Sequence, residues 1–284
     1  MKVYTCTIAR QENKYIREFV EHYRRMGFTK MFIYDNGFDD EESPESQIKE
    51  YIDEGFVELI EFRDKRNAHC DAYNDFIVKH VDECDWALFV DVDEFFFLKG
   101  VDGIDTLNGF LSMNIFNDFD EIVVNWETYG DDGHILETEG NVVDRFKQFK
   151  ECGYNGLGKV FMRGRTKYYF KGGDWHMNPM LRACNECGEK LEIDFNLHKN
   201  KYACINHYMT KSTEEFIEKA ERGYPDNPMF TNDQHKQKKE FIKEMFMRKY
   251  LKINEMTDEK NEYIKQRLGW FFDMEKLRKV LEKQ

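Results

Sequence analysis

Residues 89–97 read FVDVDEFFF, and this stretch places three carboxylates inside a run that otherwise has the composition of a buried strand. With the preceding WAL it forms the apolar segment WALFV at residues 86–90, which we interpret as a strand. In an extended segment, residues i and i+2 project to the same side, so Asp91 and Asp93 would converge while Val92 points into the core. We therefore expect a strand end that presents two carboxylates.

Three more strand patterns precede this stretch, at residues 2–8, 30–37 and 56–62. Helical patterns lie between the strands, in residues 16–26, around residues 44–52, and in residues 72–81. Strands that alternate with helices in this way are typical of a parallel sheet with helices on both faces and right-handed crossovers. The first hundred residues therefore predict an α/β fold of this kind.

The alternation of strands and helices loosens after residue 100. Short apolar segments predict mixed strands that form a second wall of a cleft, in residues 121–134, 159–163, 168–179 and 202–208. From residue 211 onward the patterns are helical, including residues 213–222 and 233–252.

The composition excludes some classes of protein and some partners. The 284 residues carry a formal net charge of −13, which disfavours non-specific binding of nucleic acid and is compatible with recruitment of divalent cations. The N-terminal MKVYTCTIARQ lacks the apolar stretch of a signal peptide, and no segment approaches the roughly 18 apolar residues that span a bilayer. Seven cysteines suit reduced thiols. We expect a cytoplasmic protein.

Each predicted strand ends in polar or charged residues, and ligands of such sheets bind beyond the carboxyl ends of the strands. Asp91 and Asp93 are suited to a hard divalent cation, Mn²⁺ or Mg²⁺, with a diphosphate as the natural co-ligand. A solvated strand end is the alternative for an isolated Asp-x-Asp pair. Here the preceding strands and the three phenylalanines that follow favour the cation site.

Asp91-Val92-Asp93 on this strand resembles the metal-binding signature of GT-A glycosyltransferases, which use a sugar nucleotide and usually manganese. Five segments are similar, in order and spacing, to glycosyltransferase family 92 and its bacterial family-2-like relatives: KYIREFVEHYRRMGFTKMFIYDN, AYNDFI, WALFVDVDEFF, NWETYGDDGH and INHYMTKSTEEFIEKAERG. The resemblance covers about residues 1–224. It implies a GT-A (Rossmann-like) mixed, mostly parallel sheet flanked by helices.

The resemblance also implies a division of the chain. Residues 1–224 form the GT-A domain, with residues 1–100 as the nucleotide-binding half and residues 101–224 as the acceptor half. Residues 225–284 form a C-terminal helical extension, and they match no family motif.

Roles in donor binding follow from the resemblance position by position. It implies that four residues hold the base and ribose of the nucleotide: Arg10, Glu12, Asp35 and Asn36. Short acidic and amide side chains can form hydrogen bonds with the hydroxyl groups of a ribose and the imide group of a base. A simple turn is the alternative for residues 35–37. The resemblance also implies that Arg66 lies over the nucleotide or its diphosphate and that Asn74, with Asp71, faces the cleft. Asp91 and Val92 are further donor-binding residues. Lys211, with Ser212, stands at a helix start that would bind the diphosphate. For Arg66 a solvated basic loop is the alternative.

The resemblance makes His207 the third ligand of the metal, beside Asp91 and Asp93, and neutral imidazole suits manganese. A structural zinc site competes for the same histidine. Cys184-x-x-Cys187 and Cys204-x-x-His207 are separated by sixteen residues, which fits zinc spacing. A hairpin that brings the thiols near each other is the further alternative.

Sugar transfer with inversion needs a general base near the acceptor hydroxyl. Asp174 is our preferred candidate, Asp132 (with Asp131) is the second, and His176 is either the base or a metal ligand. Trp126 and Trp175 lie in segments expected to line the acceptor side, where aromatic faces stack on sugars, although core packing explains each of them equally well.

We expect a metal-dependent enzyme that moves a hexose, with galactose favoured by the resemblance, from a UDP-sugar to a glycan or lipid-linked glycan acceptor in surface polysaccharide synthesis. Residues 235–252 are basic with an apolar stripe, which indicates contact with the inner face of the membrane or packing on the domain. A nucleotidyltransferase of related fold and a non-catalytic, zinc-stabilised glycan-binding or protein-binding module are the alternative functions. The oligomeric state is not predicted.

Overall fold

The structure is a computed structural model that describes residues 1–65, 68–170, 181–191, 200–222, 235–270 and 272–275, with the side chains of residues 235–239 left out. Nine strands occur in this described part of the chain. They are β1 (Val3–Ala9), β2 (Lys30–Asp35), β3 (Val57–Glu61), β4 (Trp86–Phe89), β5 (Glu94–Leu98), β6 (Glu121–Thr128), β7 (Gly158–Arg163), β8 (Ala183–Asn185) and β9 (Ala203–His207).

The helices of the described residues fall into a group that flanks the sheet and a C-terminal group. The first group is α1 (Ile16–Arg25), α2 (Glu45–Asp53), α3 (Ala68–Lys79), α4 (Leu107–Leu111) and α5 (Val142–Arg145). The second group is α6 (Thr213–Arg222), α7 (His235–Met245), α8 (Leu251–Ile253) and α9 (Asp258–Leu268), with a π-helical turn at Phe246–Tyr250 between α7 and α8.

The strands form one sheet in the order β3-β2-β1-β4-β7-β6-β9-β5, and β8 pairs with β6. The pairs among β1, β2, β3 and β4 are parallel, as are those of β6 with β8 and β9, whereas β7 and β5 run antiparallel to their neighbours. The predicted fold class, a mixed and mostly parallel sheet flanked by helices with further helices at the C-terminus, is confirmed.

Apolar side chains cover both faces of the sheet. On one face α1 packs through Ile16, Phe19, Val20 and Tyr23, which recur at helical spacing. On the other face α3 packs through its own apolar residues, including Phe76. Every residue of β1 is buried, as expected for a strand covered on both sides. The parallel half of the fold therefore follows from the periodicity of its sequence.

The stretch FVDVDEFFF is two strands joined by a turn, and our expectation of one extended segment through Asp93 is wrong. Strand β4 ends at Phe89, and the amide of Glu94 donates to the carbonyl oxygen of Asp91 at 3.0 Å, which closes a turn. Strand β5 then begins at Glu94 and pairs antiparallel with β9. Val92 is buried in the core as expected.

The C-terminal helices pack against α6 in a separate hydrophobic cluster. Phe216, Ile217 and Ala220 of α6 contact apolar residues of the later helices, including Phe246 and Ile264. The apolar stripe in residues 235–252 is thus buried on the domain. Packing on the domain was the alternative to contact with a membrane. The cluster crosses the boundary at residue 224, and that boundary stays a prediction. No helix in the described residues has the length and apolar character needed to cross a membrane.

Candidate functional site

The ends of β1, β2 and β4 bring three polar segments to one edge of the sheet. Ala9 pairs with Asp35, and Phe89 pairs with Cys6, so residues 90–93 run beside the end of β1. The amide of Val90 donates to the carbonyl oxygen of Cys6 at 3.2 Å and continues this pairing. Residues 10–12, 35–36 and 91–93 therefore lie together at the carboxyl edge of the parallel strands.

Asp91 is held by a buried lysine from β7. The Lys159 ammonium lies 2.8 Å from Oδ2 of Asp91, and Nε2 of His69 lies 3.5 Å from its Oδ1. Burial opposes ionisation of Asp91, but the charge of Lys159 outweighs it and lowers the pKa of Asp91 to about 2. Lys159 is itself fully buried, and Asp91 and Glu94 keep its pKa raised against the effect of burial.

Asp93 is held by a lysine from α6. The Lys219 ammonium donates to Oδ2 of Asp93 and to the carbonyl oxygen of Met209, the latter at 3.2 Å. His207 of β9 places its Nε2 3.7 Å from Oδ1 of Asp93. Although burial acts in the opposite direction, Lys219 and His207 hold the pKa of Asp93 well below its usual range. Burial lowers the pKa of His207, so its imidazole is neutral near pH 7.

Glu94, the third carboxylate of the opening stretch, supports the turn from beneath. Its Oε2 accepts the amide of Asp91 at 2.9 Å and lies 3.4 Å from the Lys159 ammonium. Its Oε1 is buried without a hydrogen-bond partner and lies 3.9 Å from Nε2 of His207. Burial, with the charges of Asp91 and Asp93, raises the pKa of Glu94 well above its ordinary value.

The predicted metal ligands are only partly brought together. In the portion of the chain that the structure describes, no three His, Cys, Asp or Glu side chains are grouped to hold a metal ion. Asp93 and His207 lie side by side, whereas Asp91 turns to Lys159. At the corner formed by Asp93 and His207, Oδ2 of Asp93 already holds a cation, the Lys219 ammonium, while His207 lies at Oδ1. The assignment of Asp91, Asp93 and His207 as metal ligands stays a prediction.

A cavity of about 350 Å³ opens beside this corner. Lys211, Lys219 and Arg222 line it, together with Tyr15 and acidic side chains. Lys211 has a left-handed backbone, with φ of 52°, and its buried ammonium lies 4.2 Å from the centroid of the Tyr15 ring. Burial lowers the pKa of Lys211. With Lys14, four cationic side chains thus line one pocket at the carboxyl edge of the sheet.

The start of α6 has no backbone amides left for an anion. The amides of Thr213 and Glu214 donate to the carbonyl oxygens of His134 and Ile135, and the amide of Glu215 donates to Oγ of Ser212. The backbone amide of Ser212 donates in turn to Oε2 of Glu215 at 3.1 Å, which completes a capping box. These amides and the Ser212 hydroxyl all have partners within the protein, and the role of Lys211 and Ser212 in binding a diphosphate stays a prediction.

Arg10 and Asn36 form hydrogen bonds with each other. Arg10 donates to the side-chain and backbone oxygens of Asn36, and the Asn36 amide donates to the carbonyl oxygens of Phe62 and Lys65 at 2.8 and 3.1 Å. Asp35 accepts from the guanidinium of Arg63 at 2.9 Å. It also accepts from the amide of Gly37 at 3.1 Å, and this bond is the one expected if residues 35–37 form a simple turn. The roles of Arg10, Asp35 and Asn36 on a nucleotide stay predictions.

Glu12 is the strand-end residue that keeps an available acceptor atom. Its Oε1 accepts from Arg222 of α6, while its Oε2 is buried without a hydrogen-bond partner. An unpartnered buried carboxylate oxygen is costly unless a ligand satisfies it. Glu12 therefore fits the hydroxyl-binding role predicted for it, and that role stays a prediction.

Several other predicted site residues have structural partners or lie outside the described part of the chain. Asn74 bonds both backbone atoms of Phe170, at 3.0 and 2.7 Å, and Asp71 is exposed. Asp132 uses its carboxylate to accept the amides of Lys147 and Gln148, at 2.6 and 3.1 Å, so it braces a loop. The predictions for Arg66, Asp174, Trp175 and His176 fall outside the described residues.

Trp126 packs beside the cleft, with its ring centroid 4.4 Å from that of His207. Only 6% of its surface is exposed, so Trp126 packs in the core, which was the alternative to stacking on a sugar. It supports the imidazole of His207 from behind.

The strand register separates the residues of the alternative zinc site, and that site gains no support from the fold. Cys184 pairs with Ile122 and His207 pairs with Thr128, so the two lie six residues apart along β6, about 20 Å at about 3.3 Å per residue. Cys204 and His207 are three residues apart in β9, and their side chains point to opposite faces. The sulfur of Cys187 donates to Oε1 of Glu186 at 3.0 Å.

Lys159, Lys219 and Arg222 were missed from the sequence. Lys159 is an isolated charge at the start of the apolar run KVFMR, and Lys219 and Arg222 stand three residues apart on a predicted helix, where they share a face. Those were the available signals. Each pattern is common on protein surfaces, and neither reveals a carboxylate partner far away in the chain.

Comparison with known proteins adds independent information. The family model described as glycosyltransferase family 92 matches residues 2–166. A glycosyltransferase family 92 protein of Ricinus communis is 28% identical over 135 residues, which are 45% of this chain and 23% of that protein. One of Oryza sativa subsp. japonica is 26% identical over 103 residues, which are 34% of this chain and 16% of that protein. The chain thus spans less than a quarter of the length of these relatives.

Among solved structures, the chain is similar to S. aureus TarS residues 1–349 in complex with UDP-GlcNAc. The TM-score is 0.45 and the sequence identity 10%, with 87% of this chain and 73% of the other covered.

Proposed function

The chain belongs to glycosyltransferase family 92, and from that premise we propose that it is an enzyme that transfers a hexose from a UDP-sugar to a glycan acceptor. The match covers residues 2–166, which include β1 to β4, the turn with Asp91 and Asp93, and Lys159. The observation that supports the proposal best is the cavity at the carboxyl edge of the sheet, where Lys211, Lys219 and Arg222 face Asp93 and Glu12.

Cationic side chains at this edge suit a nucleoside diphosphate as the leaving group. The sheet order brings the cavity to the position where ligands of parallel sheets bind. Lysine and arginine bind phosphate oxygens strongly, and their charge stabilises the diphosphate as its bond to the sugar breaks. Glu12, with its unpartnered Oε2, would bond a ribose hydroxyl.

A divalent cation, Mn²⁺ or Mg²⁺, fits the donor set of Asp93 and His207, with Asp91 in the same turn. When bound, such a cation neutralises charge on the departing diphosphate. Glu94 fixes this turn through the amide of Asp91, and Trp126 holds the imidazole of His207 in place. These residues of the chain orient the ligands whichever cation is present.

Inversion at the sugar, galactose as the donor sugar, and a glycan or lipid-linked glycan acceptor of a surface polysaccharide complete the proposal. They rest on the family alone. Asp174 stays the proposed general base, with His176 and Asp132 as the alternatives. Because the apolar side of α7 is buried on α6, contact with a membrane would rest on its charged side.

The two alternative functions have less support. A nucleotidyltransferase would normally carry a glycine-rich basic loop after the first strand, and this chain has ARQENKYI there. A zinc-stabilised binding module would need the cysteine site that the strand register separates.

A donor screen tests the proposal. Purified protein is incubated with Mn²⁺ and each of a panel of UDP-sugars, and UDP release is followed. We expect release from one or a few donors, and a loss of about 100-fold or more in Asp93→Ala and His207→Ala. Asp53→Ala, which removes an exposed carboxylate on α2, is the matched control. Release that survives in both site variants would contradict the assignment of these residues, and no release from any donor would contradict the choice of donor.

A further inference from the structure

Asp93 is a buried carboxylate whose partner comes from a distant part of the chain. Only 5% of its surface is exposed, and the Lys219 ammonium, 126 residues further along, donates to it. The same ammonium donates to the carbonyl oxygen of Met209, so two acceptors fix it. Lys219 also lines the cavity, and its ammonium therefore lies between Asp93 and the space beside it.

Cations and carboxylates line the cavity in equal number: they are Lys14, Lys211, Lys219 and Arg222, and Glu41, Glu42, Glu215 and Glu218. Lys211 is buried, and its ammonium faces an aromatic ring instead of a carboxylate. Arg222 donates to Glu12 and to the carbonyl oxygen of Gln11. Burial lowers the pKa of Lys211, Glu12 and Asp93 act to raise it, and the charges of Lys219 and Arg222 act to lower it. These three cations repel one another, and a multivalent anion among them would relieve that repulsion.

A divalent cation and the Lys219 ammonium cannot hold the same edge of Asp93. Two like charges at one carboxylate repel strongly in a buried place. The ammonium must leave Asp93 before a divalent cation binds there, and it needs a new anionic partner when it leaves. A diphosphate in the cavity supplies that partner within reach of the flexible lysine stem.

We propose that Lys219 is a resident counter-ion of Asp93, and that a divalent cation and a nucleoside diphosphate displace it together. This inference rests on the proposed function, since it takes a nucleotide diphosphate as the ligand. The lysine moves from the carboxylate to the phosphate oxygens as the divalent cation takes its place. Metal and nucleotide then bind cooperatively, and the isolated protein has low affinity for the metal alone.

The coupling is reciprocal, which makes it measurable without any sugar transfer. If UDP raises the affinity for Mn²⁺ by some factor, Mn²⁺ raises the affinity for UDP by the same factor. Removing the lysine frees Asp93, so the metal alone should then bind more tightly. The same change removes one phosphate partner, so UDP in the presence of a chelator should bind more weakly.

The experiment measures Mn²⁺ dissociation constants by titration of the free-ion electron paramagnetic resonance signal, with and without saturating UDP. For the wild-type chain we expect UDP to tighten Mn²⁺ binding by about tenfold or more. For Lys219→Gln we expect Mn²⁺ alone to bind about tenfold more tightly than to the wild type, with most of the effect of UDP lost. Lys14→Gln is the matched control, because Lys14 lines the same cavity but pairs with Glu137 and Glu218.

Two results would overturn the inference. The first is that UDP does not change the affinity of the wild-type chain for Mn²⁺, a measurement that needs no variant. The other is a folded Lys219→Gln variant, checked by its melting transition, whose Mn²⁺ affinity equals that of the wild type and of Lys14→Gln. Failure of the wild type to bind UDP at all, measured separately by calorimetry, would instead overturn the proposed donor class, and with it the premise of the inference.

Discussion

The ammonium of Lys260 lies 2.6 Å from Oδ2 of Asp131, and both side chains are buried. Lys260 belongs to α9, and Asp131 belongs to the loop after β6. The Tyr250 hydroxyl donates to the same carboxylate, and the amide of Asp131 donates to Asn254 at 2.7 Å. The C-terminal helices are therefore bound to the wall of the cleft by a buried polar network.

Lys260→Met should destabilise the whole chain. The substitution leaves the carboxylate of Asp131 buried without its cation, and we expect the free energy of unfolding to fall by about 3–5 kcal/mol. Urea denaturation measures this free energy of unfolding. Lys265→Met, on the exposed side of the same helix, is the control and should change the value by less than about 1 kcal/mol. Equal effects of the two substitutions would show that the buried pair contributes no more than a surface pair.

Lys159→Met should be costly, and part of the cost should depend on Glu94. Without Lys159, the partly exposed Asp91 and the buried Glu94 lose the cation that they share, and we expect a loss of about 3 kcal/mol in the free energy of unfolding. Glu94→Gln in the same chain should restore some of that loss, because it removes one of the two charges.

The four chains of this double-mutant cycle are compared by urea denaturation. Lys167→Met, which removes an exposed lysine, is the control. Strictly additive effects of the two substitutions would contradict a direct interaction between Lys159 and Glu94.

Glu215 should make the fold sensitive to acid. Burial opposes its ionisation, but the guanidinium of Arg145, with Ser212 and Tyr15, lowers its pKa from 4.5 to about 2. A carboxyl whose pKa is lower in the folded than in the unfolded chain stabilises the fold above its unfolded pKa. This contribution is present above about pH 4.5 and is lost as the pH falls towards about 2.

We expect the wild type to lose about 2 kcal/mol more unfolding free energy between pH 6 and pH 3 than Glu215→Gln does. Urea denaturation at a series of pH values measures the difference. Glu218→Gln, a half-exposed position on the same helix, should follow the wild type. Parallel pH profiles for the wild type and Glu215→Gln would contradict the assigned pKa.

Chelation of zinc should leave the stability unchanged. The strand register keeps Cys184 about 20 Å from His207, so no site made of these cysteines and His207 can contribute to folding. We expect the melting temperature of protein treated with a strong zinc chelator to equal that of untreated protein, and Cys187→Ser to behave likewise. Stoichiometric zinc together with a lowered melting temperature after chelation would contradict the register.

The parallel half of the fold was predictable because its elements are local. Apolar residues recur with period 2 in the strands and near 3.6 in the helices, and each pattern is complete within about ten residues. The order of the later strands was not predictable, since β5 pairs with β9 more than a hundred residues away. Antiparallel pairing across such a distance leaves little local signal.

The candidate site was predictable as a set of strand ends, but the partners of its charges were not. Asp91 and Asp93 stand out because carboxylates interrupt an apolar run. Nothing near them in sequence indicates that Lys159 and Lys219 neutralise them. Asn36 shows a further difficulty, because a turn and a ligand site use the same residue types and the sequence does not distinguish them.

Helix α6 has two sides with different partners. Lys219 extends from it to Asp93, while Phe216, Ile217 and Ala220 are covered by the C-terminal helices. A chain cut before residue 235 would present these three apolar side chains to water, and such patches drive association between molecules. The helices that follow residue 235 therefore cover an apolar surface, and a shortened protein should be recovered as aggregate.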